Sequence, residues 1–120
     1  MAENLLTEWT FANECEVPKD ALDLLIDGET VICSYKTIRD VAIMTNKRFI
    51  VVDSQGITGK KKEIYTLPYS SIVMYSSENA GMLDINSEIE LWTKAGKIKL
   101  NFSTKADIRK FDRVLANAIL

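Results

Sequence analysis

Val41-Ala42-Ile43-Met44-Thr45-Asn46-Lys47-Arg48-Phe49-Ile50-Val51-Val52 holds two short apolar, β-branched runs separated by a two-residue break. Such runs have the texture of β-strands. Asn46-Lys47 reads as a tight turn, because asparagine tolerates a left-handed backbone. Side chains alternate along a strand, so Phe49 and Val51 project to one face and Ile50 and Val52 to the other. Both faces are apolar, and something has to cover the second, either a helix or a sister subunit. Oligomerisation therefore has a physical motive in this hairpin.

The same texture runs outward from Glu29 to Phe102 and predicts seven strands: Glu29 to Lys36, Asp40 to Thr45, Arg48 to Asp53, Lys62 to Leu67, Ser71 to Ser77, Glu88 to Thr93 and Lys97 to Phe102. Gly56 and Gly59 supply flexibility in the loop between the third and fourth. Short strands at this spacing predict a mainly β fold, an antiparallel sandwich or small barrel. In the last hairpin, a turn at Ala95-Gly96 sets Leu91 opposite Leu100 and Ile89 opposite Phe102 on one apolar side. The other side carries Glu88, Glu90, Trp92, Lys97, Lys99 and Asn101, so opposite charges stand near one another and Trp92 points outward. Trp92 then either lies under an N-terminal helix or anchors a subunit contact.

Both ends of the chain read as helical. From Asn4 to Asn13, Leu5, Leu6, Trp9 and Ala12 recur at helical spacing. The neighbouring charges Glu3, Glu8 and Glu14 are all acidic, so docking on the domain or on a neighbouring subunit suits this helix better than an anionic membrane. Pro18 and Lys19 open a second short helix through Ala21, Leu22 and Leu25, stopped by Asp27 and Gly28. At the other end, Thr104 and Asp107 form a capping pair, and Ile108, Phe111, Leu115, Ala118 and Ile119 make a helical stripe. The expected architecture is a bent antiparallel sheet or partial barrel with the C-terminal helix plugging an open end.

Composition narrows the chemistry. The chain has 120 residues, one domain's worth, with 47% hydrophobic and 27% charged residues and a formal net charge of -2. Histidine is absent, which removes the usual general base, the partner of serine and cysteine nucleophiles and the commonest metal ligand. Cys15 and Cys33 match no zinc or redox spacing. Cys33 alternates with Val31 and Tyr35 as a small buried hydrophobe, with a Cys15–Cys33 bridge as the alternative, and the compartment reads as reducing. No signal peptide or spanning run is visible, so a cytoplasmic location is expected. The acidic balance argues against nucleic acid as a partner.

Short motifs fare poorly. Ser54 to Lys61 fails as a phosphate-binding loop, because Ser54 replaces the first glycine, Lys61 replaces the metal-binding hydroxyl, and the segment joins two strands. Gly56-Ile57-Thr58-Gly59 lacks the helical context of a nucleic-acid-clamping loop. Asp84 to Glu88 starts like a calcium loop, but Ile89 and Ala95 occupy its glycine and glutamate positions. Glu88 and Glu90 share a hairpin face with Lys99 as solvated ion pairs. No catalytic set, cofactor site or metal site is expected. Lys60-Lys61-Lys62 remains as a basic cluster suited to phosphate or an anionic head group.

Ile38-Arg39-Asp40, Thr45 to Arg48, Asp53 to Lys61, Pro68 to Ile72, and Glu78 to Gly81 followed by Asp84, Glu88 and Leu91-Trp92 together resemble the bacterial pleckstrin-homology (PH) domain family. The resemblance implies a seven-stranded bent barrel capped by a C-terminal helix, spanning residues 29–120 after a helical segment over 1–28. It also implies ring-like homo-oligomers. Eukaryotic relatives hold phosphoinositides with a basic signature in the first hairpin loop, where this chain has Lys36 and Arg39. The resulting expectation is a non-enzymatic, self-assembling cytoplasmic module, with Trp92, Phe49, Ile50, Val52 and Trp9 at the subunit interface. The alternative is an anionic-lipid or phosphorylated-ligand binder using Lys60, Lys61, Lys62, Lys36 and Arg39.

Overall fold

A computed structural model describes residues 5–37, 40–55, 61–78, 86–103 and 108–120. The strands in chain order are β1 (Leu5–Phe11), β2 (Asn13–Glu14), β3 (Val31–Lys36), β4 (Val41–Thr45), β5 (Arg48–Gln55), β6 (Lys61–Pro68), β7 (Ile72–Glu78), β8 (Asn86–Thr93) and β9 (Gly96–Ser103). One helical turn, α1 (Lys19–Leu22), precedes β3, a 3-10 turn over Tyr69–Ser71 links β6 to β7, and α2 (Ile108–Ile119) ends the chain. They form two sheets rather than a closed barrel, ordered β1-β9-β8-β7 and β2-β3-β4-β5-β6. All seven sequence-predicted strands are present as β3 to β9, most of them a residue or two longer or shorter at an end.

The first predicted helix is a correction. Residues 5–11 form a strand parallel to β9, with Trp9 opposite Leu100 and Phe11 opposite Phe102. A period of two runs through Thr7, Trp9 and Phe11 beside the helical spacing of Leu5, Leu6, Trp9 and Ala12, and β-branched and aromatic residues suit the strand. Pairing with β9 lets Trp9 and Phe11 bury completely or nearly so. The chain then crosses into the second sheet, where Ala12 N–H donates to the Lys36 carbonyl at 2.8 Å and β2 pairs with β3. The second short helix is present as α1, and Gly28 behind it adopts φ 79°, a left-handed conformation natural to glycine.

The apolar side of the last hairpin faces the core as the alternation requires, but its register differs by two. Leu91 lies opposite Ile98 and Ile89 opposite Leu100, with Lys94-Ala95 at the turn. The Thr93 hydroxyl accepts from the N–H groups of Ala95 and Gly96, both at 3.1 Å, and so closes the turn one residue early. A shift of two leaves each side chain on its original face.

The main core lies between the sheets and under α2. Phe111 of α2 has its ring centroid 4.9 Å from Phe102, 5.8 Å from Tyr35 and 5.9 Å from Phe49, so one helical residue ties together strands of both sheets. Ile108, Val114 and Leu115 bury beside it. The Thr104–Asp107 capping pair lies outside the described residues, as do the Gly56–Gly59 loop and residues 79–85, which hold the start of the calcium-like segment.

The second face of the β4–β5 hairpin is covered by the chain itself. Ile43 and Ile50 pack with Ala21 of α1, and Val17, Leu24, Leu25, Val31 and Val41 surround them. Of the two covers that the sequence allows, the internal helix-bearing segment is the one present. A buried clasp fixes it. The Glu29 carboxylate receives Arg48 Nε at 2.9 Å and Nη2 at 3.1 Å, the Thr45 hydroxyl at 2.6 Å and Ile26 N–H at 3.1 Å. Arg48 Nη2 also donates to the Leu24 carbonyl at 2.6 Å. These donors hold the Glu29 carboxyl well below the usual range, at about 2, the Arg48 hydrogen bonds being the largest cause.

Candidate functional site

The structure separates the residues expected at a subunit interface. Trp9 and Phe49 belong to the main core and Ile50 to the smaller cluster, so none of the three presents a surface to a partner. Trp9 is held by its indole N–H, which donates to Asp53 Oδ2 at 3.2 Å. Val52 is half-buried and lines a small cavity with Pro18, Ala21 and Leu24. The apolar character of this hairpin is thus spent within one chain.

Trp92 stays on the outward face of the first sheet, half-buried and opposite Met74 and Lys97. Its ring lies under the Lys97 ammonium, 5.3 Å from the centroid. Lys97 pairs with Glu90 at 2.8 Å, Lys99 with Glu88 at 3.3 Å, and Asn101 donates to Glu8 on β1 at 2.7 Å. The charge pattern of this face is therefore as the alternation predicts, and β1 extends it.

The feature sequence reading missed lies beside Trp92. Strand β7 is an edge strand, paired only with β8 among the described residues. Met74 stands opposite Trp92, on the same face, and is 54% exposed, while Val73, at an irregularity in the register, is 71% exposed. From Ile72 to Ser77 the strand has no charged residue. The inner side is fixed: Ile72 is buried, Tyr75 packs on the main core, and the Ser77 hydroxyl donates to Asp112 of α2 at 2.8 Å. The signal was a strand with successive apolar residues at its start and no charge to blunt it.

The basic cluster is described only in part. Arg39, Lys60 and the side chain of Lys61 lie outside the described residues. Lys36 is exposed at the end of β3, and Lys62 is exposed near the start of β6, within 3.7 Å of Asp20. The antiparallel order of β3 to β6 puts both lysines at the same end of the second sheet.

Cys33 is buried and its thiol pKa is raised by that burial, which disfavours the thiolate. Both cysteines are free thiols. Among the described residues no group of three or more acidic or cysteine side chains is placed to hold a metal, and no helix is long and apolar enough to cross a membrane.

Comparison with known proteins agrees with this architecture. The family model for the bacterial PH domain matches residues 1–119. The Bacillus subtilis protein YjqA, described as uncharacterized, is 35% identical over 117 residues, covering 95% of this chain and 94% of its own length. A second B. subtilis protein, YozO, also described as uncharacterized, is 33% identical and is covered to 80%, against 77% of this chain. A crystal structure of a PH-domain protein from Shewanella loihica superimposes with a TM-score of 0.77 at 34% identity, covering 91% of this chain and 99% of that one. The PH domain from Shewanella amazonensis gives a TM-score of 0.69 at 31% identity, over 84% and 83% of the two chains. Two bent sheets capped by a C-terminal helix, matched along nearly the whole sequence, place the chain in the bacterial PH domain family.

Proposed function

We propose that the chain is a non-enzymatic assembly module that binds further copies of itself along β7. The observation that carries this reading is the uncharged edge Ile72 to Ser77, with Val73 and Met74 exposed beside Trp92. An edge strand offers a row of N–H and C=O groups to any extended partner, and isolated proteins normally blunt such edges with charge or proline. Among the described residues β7 has neither charge nor proline before Glu78, and an apolar patch adjoins the open ladder. Pairing of β7 with β7 of a second copy is isologous and stops at a dimer, whereas β7 against β1, the opposite edge of the same sheet, is head-to-tail and gives a ring if the rotation closes and an open filament if it does not.

Light scattering during size-exclusion chromatography tests it. The expected result is a stable multiple of 13.5 kDa that falls to one chain in the Val73→Lys, Met74→Lys double variant, with the circular dichroism spectrum kept. A monomer at every concentration overturns the proposal.

The shared end of Lys36 and Lys62 supports a second reading, an anionic-ligand surface. Salt-sensitive co-sedimentation with phosphatidylserine vesicles, lost in a combined Lys36→Ala, Lys60→Ala, Lys61→Ala, Lys62→Ala variant, is its expected signature. Absence of co-sedimentation with the wild-type chain removes it.

A further inference from the structure

The sandwich keeps a cavity of about 380 Å³ to which α2 contributes no lining residue. Trp9, Phe49, Val51, Leu67 and Ile98 line it, and Tyr65 stands exposed on its rim. Trp9 meets Tyr65 edge to face, with centroids 5.3 Å apart, so an aromatic pair spans the gap between β1 of one sheet and β6 of the other. The volume lies in the lower part of the range that takes small ligands.

The chemistry of the lining selects the occupant. Among the described residues, none that lines the cavity carries a formal charge. Several of the polar groups nearby already have partners: the Trp9 indole N–H donates to Asp53, the Thr93 hydroxyl donates to the Gly96 carbonyl within its turn, and the Thr66 hydroxyl oxygen accepts from Arg48 Nη1 at 3.2 Å. A charged ligand would lose hydration here without a charged partner, whereas an apolar one gains contact with the carbon surfaces of Trp9, Phe49, Val51, Leu67 and Ile98. We propose that this cavity binds an uncharged apolar small molecule, independently of assembly along β7.

The chain has two tryptophans, one in the cavity wall and one outside, which makes their indole N–H signals in proton–nitrogen NMR a direct readout. Titration of the full chain with 1-octanol or toluene is expected to shift the Trp9 signal saturably and leave Trp92 in place. Octanoate is expected to bind at least ten-fold more weakly than 1-octanol. Thr7→Phe places a ring on the inward face opposite Ile98, and Ala95→Phe places one at the turn that borders the cavity. Each is expected to abolish the Trp9 response while the Trp92 signal reports an intact fold. No saturable shift with either probe, equal movement of both indoles, octanoate binding as tight as octanol, or unchanged binding in both filled variants overturns the proposal.

Discussion

Strands β6 and β7 are consecutive in the chain, joined only by the Tyr69–Ser71 turn, and each is the edge of its sheet, yet they are built to opposite ends. The β6 edge begins Lys61-Lys62-Glu63 and closes with Pro68, so charge and a missing N–H guard both its ends. Its middle is guarded as well, because Tyr65 leans on Trp9 and Thr66 is tied to Arg48. The β7 edge has neither charge nor proline before Glu78. Exposure alone does not separate the two strands, since Ile64 and Tyr65 of β6 are also exposed. What separates them is charge and proline along the edge, which β6 has and β7 lacks before Glu78.

The contrast breaks most visibly at assembly. The β7 double lysine variant is expected to release monomers, whereas Ile64→Lys on β6 leaves the mass unchanged; dissociation by both in equal measure would erase the distinction. A second route removes the support of β6. Arg48→Met leaves the buried Glu29 carboxylate without its cation, and the expected cost is about 3–5 kcal/mol in urea denaturation, with the α1 segment and β6 losing protection from hydrogen exchange first.

Acid probes the same clasp more gently. Glu29 is held at about 2, below the 4.5 of a free glutamate, so folding favours its ionised form. That stability is fully present above pH 4.5 and fades as the pH falls toward 2. A Glu29→Gln variant is expected to lose this part of the acid dependence, read as a flatter urea midpoint between pH 4.5 and 2. The smallest effect belongs to the outward face beside β7. Lys97→Met removes a half-buried ion pair and the cation over Trp92, and about 1 kcal/mol is expected. A larger loss would mean that Trp92 depends on Lys97 for its place.

How much of this was legible differs from element to element. The β4–β5 hairpin was readable because both its signals are local, two unbroken apolar runs and an Asn-Lys break between them. The last hairpin was readable in its faces but not in its register, because the hydroxyl of Thr93, rather than the glycine, decides where the turn closes. The β7 edge was readable as a strand and not as an edge, since strand order is absent from the pattern of any one strand. Of the expected interface residues, Trp92 kept its outward place. Phe49 and Ile50 did not reach a surface, because alternation tells which residues need covering and not what covers them.

The sequence by itself determined the seven strands, read from Glu29 to Phe102, the short helix after Pro18, the amphipathic C-terminal helix and the absence of imidazole chemistry. These follow from composition and from periodicities that a few neighbouring residues contain. Only the tertiary structure decided that residues 5–11 are a strand, because its partner β9 lies some ninety residues away and two periods coexist in the same seven residues. It also decided that Glu29 meets Arg48, that the chain covers its own second apolar face, and that β7 stands at an edge. Each is a contact between distant segments, and its free energy exists only once both have arrived.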